Sequence, residues 1–466
     1  MYFLESEIIG FFNNFKGLEV ISNNCLYSPI QKFSLIRDSN LRLILETESK
    51  ISSATKAKDI PLGKVYMNDS EIVLKDRCSA RKVSLNGINS YSINDNNDRR
   101  LEKSYITSIE SIVDEKELDE KYLIEFVSNV SDYFIFPDFV ELEGSNKSIL
   151  KINKIEFENN TKNKSSYRNC LKICINDISM HICSYTHNKH KYEYILYDRV
   201  LSNEERRKIV NCISFIIGKP ILSLGYVTYS TSQELVNFKL NQGYDYKGAF
   251  NLPTLPPTLL SNSSVNLIDS KIFQQHFISL YNSYDEYDYS HLFWLYWHAS
   301  CSHFYSASVQ FGACIESLQK KYLDKHSSVK IFESKSNWKT FRSQVLNIIE
   351  ELKISEDQKK LLIGKIENAN VLPQKLQLKK FFNELEMELS NLELNTWDQR
   401  NIPAHGKKVE NNIDYIRGIK ILRTLVNRII LKISGVGEYY FDYYNLGQDR
   451  QYKLSYIKDG IKEESN

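Results

Sequence analysis

The stretch that decides the reading of this chain is NNIDYIRGIKILRTLVNRIILKIS, Asn411 to Ser434. Ile416, Ile419, Leu422, Val426, Ile429 and Ile433 recur at the three- and four-residue intervals that place side chains on one face of an α-helix. Gly435, free to take the left-handed conformation, marks where that helix stops. A helix of this length with an apolar stripe needs partners, and the sequence upstream supplies them.

His291 to Leu323 carries apolar residues on more than one face, as a central bundle helix or a broken pair would. Helical spacing follows from Asn337 to Leu352, in a segment opened by the capping box Ser355 and Gln358, and from Lys375 to Leu389 after Pro373. Roughly five helices on short connections are the makings of a bundle. Pro253-Thr254-Leu255-Pro256-Pro257 and Ser261-Asn262-Ser263-Ser264 read as a linker ahead of it.

Before the linker the period changes. Leu41, Leu43 and Leu45 alternate with other residues, and Glu71-Ile72-Val73-Leu74 and Val83-Ser84-Leu85 repeat short strand patterns beside turn residues such as Asn86-Gly87. Cys170 to Tyr197 reads as a meander turning at Asn176-Asp177. Ser202 and Glu205 then box the start of a helix that Gly218 and Pro220 end. Ser90 to Arg100 reads as a polar loop, and Asp114 to Val127 as one helix whose β-branched end leaves a strand open. The expected fold class is α+β multidomain: a β-rich region over residues 1–250, a linker over 251–279, a helical bundle over 280–438 and a tail over 439–466.

The 466 residues exceed one core, and 42% apolar with 25% charged residues is globular composition. A formal charge of +2 argues against a protein that coats nucleic acid. The amino end carries acids where a signal peptide needs bases, and no apolar run approaches bilayer length, so the expectation is a cytoplasmic protein without membrane contact. Eight cysteines scattered through such a chain read as small buried hydrophobes.

One short span holds chemistry: Asp398-Gln399-Arg400-Asn401-Ile402-Pro403-Ala404-His405-Gly406. Arg400 keeps its charge at any working pH, Asn401 offers an amide donor and acceptor, and His405 takes and returns protons near neutrality. On a regular helix Arg400 and His405 would sit roughly 140° apart. Pro403 disfavours a continuous helix there, so the span is expected to straddle a helix boundary.

This pattern, Arg, then Asn, Asp or His, then three variable residues, then His, resembles the signature of HEPN ribonucleases, which are helical bundles carrying it near their last long helix. The resemblance implies an all-α HEPN bundle and cleavage of RNA by its own 2′-hydroxyl, without a metal or other cofactor. His405 would be the general acid or base, Arg400 would stabilise phosphate charge, and Asn401 would orient the reacting groups. Lys407 and Lys408 would steer the RNA backbone, with a solvated loop as the equal alternative. Glu316 resembles the acidic or polar residue that such bundles turn towards the motif, a salt bridge to a lysine being the alternative.

The layout also resembles the ApeA-like branch of bacterial anti-phage proteins. It implies a toxin-like endoribonuclease acting by abortive infection on RNA, tRNA among the candidates. Such a protein would be a homodimer through the HEPN domain, with a phage-derived trigger sensed by the β-rich region. The alternative is a non-catalytic HEPN scaffold that binds RNA or a partner protein.

Other clusters carry weaker signals. Cys170, Cys174, His181, Cys183, His187 and His190 lack paired metal-ligand spacing, and on alternating strands they would point to opposite faces. His298 and His303 are not four residues apart, Pro137-Asp138 with Glu141 and Glu143 lacks the Glu-x-Lys of restriction-type nucleases, and no phosphate-cradling Gly-rich loop is present.

Overall fold

A computed structural model describes the chain except residues 1–3, 14–16, 52–54, 57–70, 78–80, 113–119, 131–132, 145–147, 153–154, 160–164, 188–189, 233, 244–247, 262–265, 401–410, 445–450 and 455–466. The chain divides into two compact units, residues 1–255 with 260–278, and residues 256–259 with 279–466. The first is β-rich and the second largely helical, an α+β multidomain arrangement.

The first unit is built on an antiparallel sheet whose thirteen described strands run, in spatial order, Leu18–Asn23, Glu71–Asp76, Lys82–Asn86, Ser108–Ile112, Leu235–Asn241, Leu222–Tyr229, Tyr122–Ser128, His190–Tyr197, Ile178–His187, Ser165–Ile175, Asp138–Gly144, Ser148–Ile152 and Ile155–Asn159. Its central strand, Tyr122–Ser128, corrects the helix expected over 114–127, residues 114–119 lying outside the described ones. Leu123, Ile124, Glu125, Phe126 and Val127 are all buried. A strand covered on both faces shows no polar alternation, so its pattern cannot be told from that of a buried helix segment.

A second sheet pairs Ile30–Arg37, Leu43–Lys50, Arg99–Ile106 and Asn89–Asn96 in that order. The last two correct the polar loop expected at 90–100. They form a hairpin closed by Asn97 and Asp98, both at positive φ (47° and 64°), the conformation that matches strand twist in two-residue turns. Every residue of Asn89–Asn96 is exposed, so no apolar face marked it. Arg100 holds Asp95 opposite it with two hydrogen bonds of 2.7 Å.

Among the described residues, two α-helices belong wholly to this unit: α1 (Leu4–Asn13) and α2 (Asn203–Ile217). α2 begins where Ser202 Oγ accepts the Glu205 N–H and ends at Gly218, left-handed at φ 78°. Ile209, Ile213, Phe215 and Ile216 bury its apolar face. α3 (Ser270–Ser283) occupies part of the stretch read as a linker, and the division between the units falls within it.

The second unit contains α4 (Tyr289–Cys301), α5 (Phe304–His326), α6 (Lys335–Glu351), α7 (Glu356–Glu367), α8 (Gln374–Glu384), α9 (Asn391–Gln399) and α10 (Asn412–Ser434). The apolar run from His291 to Leu323 is thus a broken pair, interrupted where Ser302 and His303 turn extended. α5 packs against α4, α8 and α10, and α9 against α10. Trp297, Phe311, Ile315, Phe381, Trp397 and Val426 are among the core residues. α10 buries Leu422, Leu425, Val426, Ile429 and Ile430 and ends at left-handed Gly435, but its first turns leave Ile413 and Ile416 exposed. Helix α9 was not foreseen. It opens on a complete capping box, Ser390 with Glu393.

Arg428, wholly buried in α10, ties these elements together. Its Nη1 donates to Glu393 Oε1 at 2.5 Å, its Nη2 to the Glu388 carbonyl at 3.0 Å, and its guanidinium lies over the Tyr440 ring. Tyr440 belongs to the strand Tyr439–Phe441, which pairs with Gln451–Lys453 in the tail. Among the described residues no helix is long and apolar enough to cross a membrane.

Candidate functional site

Arg400 caps the C-terminal end of α9 in helical conformation, and α10 starts at Asn412. Asn401, His405, Lys407 and Lys408 lie outside the described residues, and Arg400 is the motif residue within them.

Those surroundings are built along one line of α5. Ser308, Gly312 and Glu316 are spaced four apart, which places them one above another on nearly the same helix face. Ser308 Oγ donates to the Arg400 carbonyl at 3.2 Å. Gly312 lies against the Arg400 side chain, so close that a Cβ built there would come within 2.4 Å of Arg400 Cδ. Glu316 accepts from Arg400 Nη2 and forms its ion pair. The structure therefore brings together Arg400 and Glu316, and the carboxylate's partner is the motif arginine rather than a lysine.

From its own helix Arg400 gains further contacts. Nη1 donates to the Trp397 carbonyl at 2.7 Å, and the guanidinium carbon stands 3.6 Å from the centre of the Trp397 ring, a cation–π arrangement. Nη2 also reaches Gln374 Oε1 at 3.3 Å, at the start of α8. The Arg400 side chain is only 3% exposed and that of Glu316 38%, so the pair has a dry end and a wet end. Arg400 Nε is buried with no acceptor among the described residues.

Tyr415, in the first turn of α10, completes the wall. Its hydroxyl shares a short hydrogen bond with Ser308 Oγ. Burial pushes the phenol's pKa up, partly offset by that bond. Sequence reasoning singled out Arg400 and Glu316 but missed Ser308, Gly312, Gln374 and Tyr415. The four-residue rhythm of Ser308, Gly312 and Glu316, two small residues leading to a carboxylate, was the available signal.

In the cysteine and histidine cluster of the first unit, the side chains of His187 and His190 lie outside the described ones, and the other four do not converge. Cys170 and Cys183 face each other across adjacent strands, both buried, with sulfurs 3.4 Å apart. Cys174 is exposed, and His181 pairs in register with Lys172. Among the described residues no three His, Cys, Asp or Glu side chains gather as a metal site.

No family model matches the chain, and no curated protein and no solved structure matches it either.

Proposed function

We propose that the second unit is a HEPN-type, metal-independent endoribonuclease, and that the chain is a toxin-like effector of anti-phage defence resembling the ApeA-like proteins. The observation that carries this reading is the grip of Ser308, Gly312 and Glu316 on Arg400. A fixed, permanently charged guanidinium opens a motif whose remaining residues are an amide and a histidine. In this reading the RNA 2′-hydroxyl attacks the adjacent phosphorus, and its proton passes to His405 or to a group that His405 orders. Arg400 stabilises the charge that builds on the phosphate oxygens, which its planar fork suits better than an ammonium would. Because DNA lacks the hydroxyl, the chemistry selects RNA.

Glu316 gives the site a resting state. Its carboxylate occupies Nη2, where a phosphate would bind, and it is the partly exposed member of the pair. An entering phosphate would take its place as anionic partner. Pairing of two HEPN bundles about a two-fold axis, with the β-rich unit sensing a phage-derived trigger, belongs to the same proposal.

The 3% exposure of Arg400 favours a second reading, in which the arginine is a structural latch and the bundle a non-catalytic scaffold for RNA or a partner protein. Induced expression of the parent chain and of Arg400→Ala and His405→Ala separates the two. Growth and the integrity of cellular RNA are followed with and without phage challenge, with chelator present in the RNA assay. Chelator-resistant cleavage that both substitutions abolish, in folded protein, is the expected result. Equal RNA integrity in all three under challenge would sink the nuclease reading and leave the scaffold.

A further inference from the structure

We infer that His303, Phe304 and Tyr305, where α5 begins, are a stacking platform for unpaired bases of an RNA strand. This rests on the ribonuclease reading above and names its substrate class as single-stranded RNA.

Three aromatic residues in succession follow the break between α4 and α5, and their rings lie against one another. His303 and Phe304 are 4.1 Å apart between centroids and 36° between planes, Phe304 and Tyr305 4.3 Å and 36°, and His303 and Tyr305 5.5 Å and 28°. Phe304 is half-buried and serves as the base of the group, while His303 and Tyr305 are exposed. Neither His303 nor Tyr305 is drawn into the core of the bundle.

The platform is fastened to both borders of the motif segment. Tyr305 OH donates to Asn412 Oδ1 at 3.3 Å, and one turn further along α5 Ser308 Oγ donates to the Arg400 carbonyl. Tyr415 packs beneath, 5.9 Å from the Tyr305 ring and 6.2 Å from that of Phe304. Arg400 and Asn412, described residues on either side of the motif segment, are therefore both held by the first turns of α5. The Arg400 guanidinium itself lies further along α5, at Glu316, about 16 Å of helix from Tyr305, so a strand whose phosphate reached it would lay bases a few nucleotides away on the platform.

The ring chemistry suits bases. Every base has a π face, so stacking on histidine and tyrosine needs no particular sequence, and imidazole nitrogens and phenol oxygen can meet base edges. In a duplex those faces are hidden. Exposed Ile413 and Ile416 on α10 offer a second copy of the chain a different, aliphatic surface, which makes copy-to-copy docking the competing outcome of the test.

The test uses the full chain carrying His405→Ala, so that binding is measured without cleavage. The probe is a short fluorescein-labelled RNA of mixed sequence, single-stranded or annealed to its complement, followed by anisotropy. The expected result is preference for the single strand and a loss of about tenfold in affinity or more when His303→Leu and Tyr305→Leu are combined. Tyr305→Phe, which keeps the ring, should retain most of the binding. His303→Leu alone, at an exposed position, supplies the measurement if the double substitution does not fold, with a several-fold loss expected.

Unchanged affinity, equal binding of the duplex, or no binding of either RNA would overturn the platform. So would a changed oligomeric state by light scattering with RNA affinity unaltered, which would assign the face to a second copy. The two proposals fail differently: ring-dependent RNA binding without His405-dependent cleavage would remove the nuclease and leave the platform. Cleavage that needs His405 in chains whose RNA affinity ignores the rings would do the reverse.

Discussion

Gly312→Ala measures how tightly Arg400 is held. Taken alone, alanine for a buried helix glycine should help, by about 1 kcal/mol of helix propensity. Here the new Cβ would lie 2.4 Å from Arg400 Cδ, 2.9 Å from Nε and 3.2 Å from Cγ, so the arginine must move. It has little freedom, since Nη1 is bonded to the Trp397 carbonyl, Nη2 to Glu316 and Gln374, and the fork rests on the Trp397 ring. Overpacking together with the partial loss of one buried donor's bond costs about 2–4 kcal/mol, against which the propensity gain is set. The expected net loss is about 1–3 kcal/mol.

In an Arg400→Ala background the obstruction is gone, and Gly312→Ala should stabilise by up to about 1 kcal/mol. The two substitutions should then couple by about 2–4 kcal/mol in a double-mutant cycle. All four tryptophans, Trp294, Trp297, Trp338 and Trp397, lie in the second unit, so intrinsic fluorescence during urea unfolding reports on it. Additivity within about 0.5 kcal/mol would refute the reasoning, because it would mean that Arg400 yields freely.

Three further outcomes are expected. Arg428→Met should cost about 3–5 kcal/mol in the same fluorescence assay, because it strands Glu393 in the core, and a cost below about 1 kcal/mol would show the carboxylate to be solvated. Burial holds the His276 imidazole down to about 4, so the unfolded chain takes up a proton that the folded one refuses as pH falls below about 6.5. The stabilisation is complete above that value and lost as pH drops through about 4. At pH 5 the loss from this group is about 2 kcal/mol, and chemical unfolding of His276→Leu followed by circular dichroism should show a correspondingly flatter pH dependence, an unchanged slope counting against the assignment. Ser202→Ala should destabilise the first unit by about 1 kcal/mol through loss of the α2 cap, while Ser202→Asn should cost little, and equal effects of the two would contradict the capping role.

Local signals account for what could be read along the chain. Asn411 to Ser434 carries its own period and its own glycine stop, and α10 spans Asn412–Ser434. Ser355 with Gln358 forms a full capping box at α7, and the strands around Asn176-Asp177 meet in the register their alternation implies. In each case the deciding interaction spans a few residues of chain. The strand Tyr122–Ser128 and the hairpin at Asn97-Asp98 escaped the same reasoning for opposite reasons. Tyr122–Ser128 is buried on both faces and Asn89–Asn96 exposed on both, while Arg99–Ile106 alternates but turns Glu102 and Ser104 inward, so none shows an apolar-polar alternation.

The site divides along the same physical line. Which residues could do chemistry is legible from side-chain identity alone, because the charge of Arg400 and the carboxylate of Glu316 are properties of the side chains wherever they lie. Helix packing settled that these two meet across 84 residues of chain, that Gly312 makes room for the arginine, and that Trp397 and Gln374 hold it in place. It also decided that Tyr305 and Ser308 fasten both borders of the motif segment to one end of α5. Such contacts depend on how helices distant in sequence pack against one another, and helical periodicity states which face a residue occupies without naming the element that will cover it.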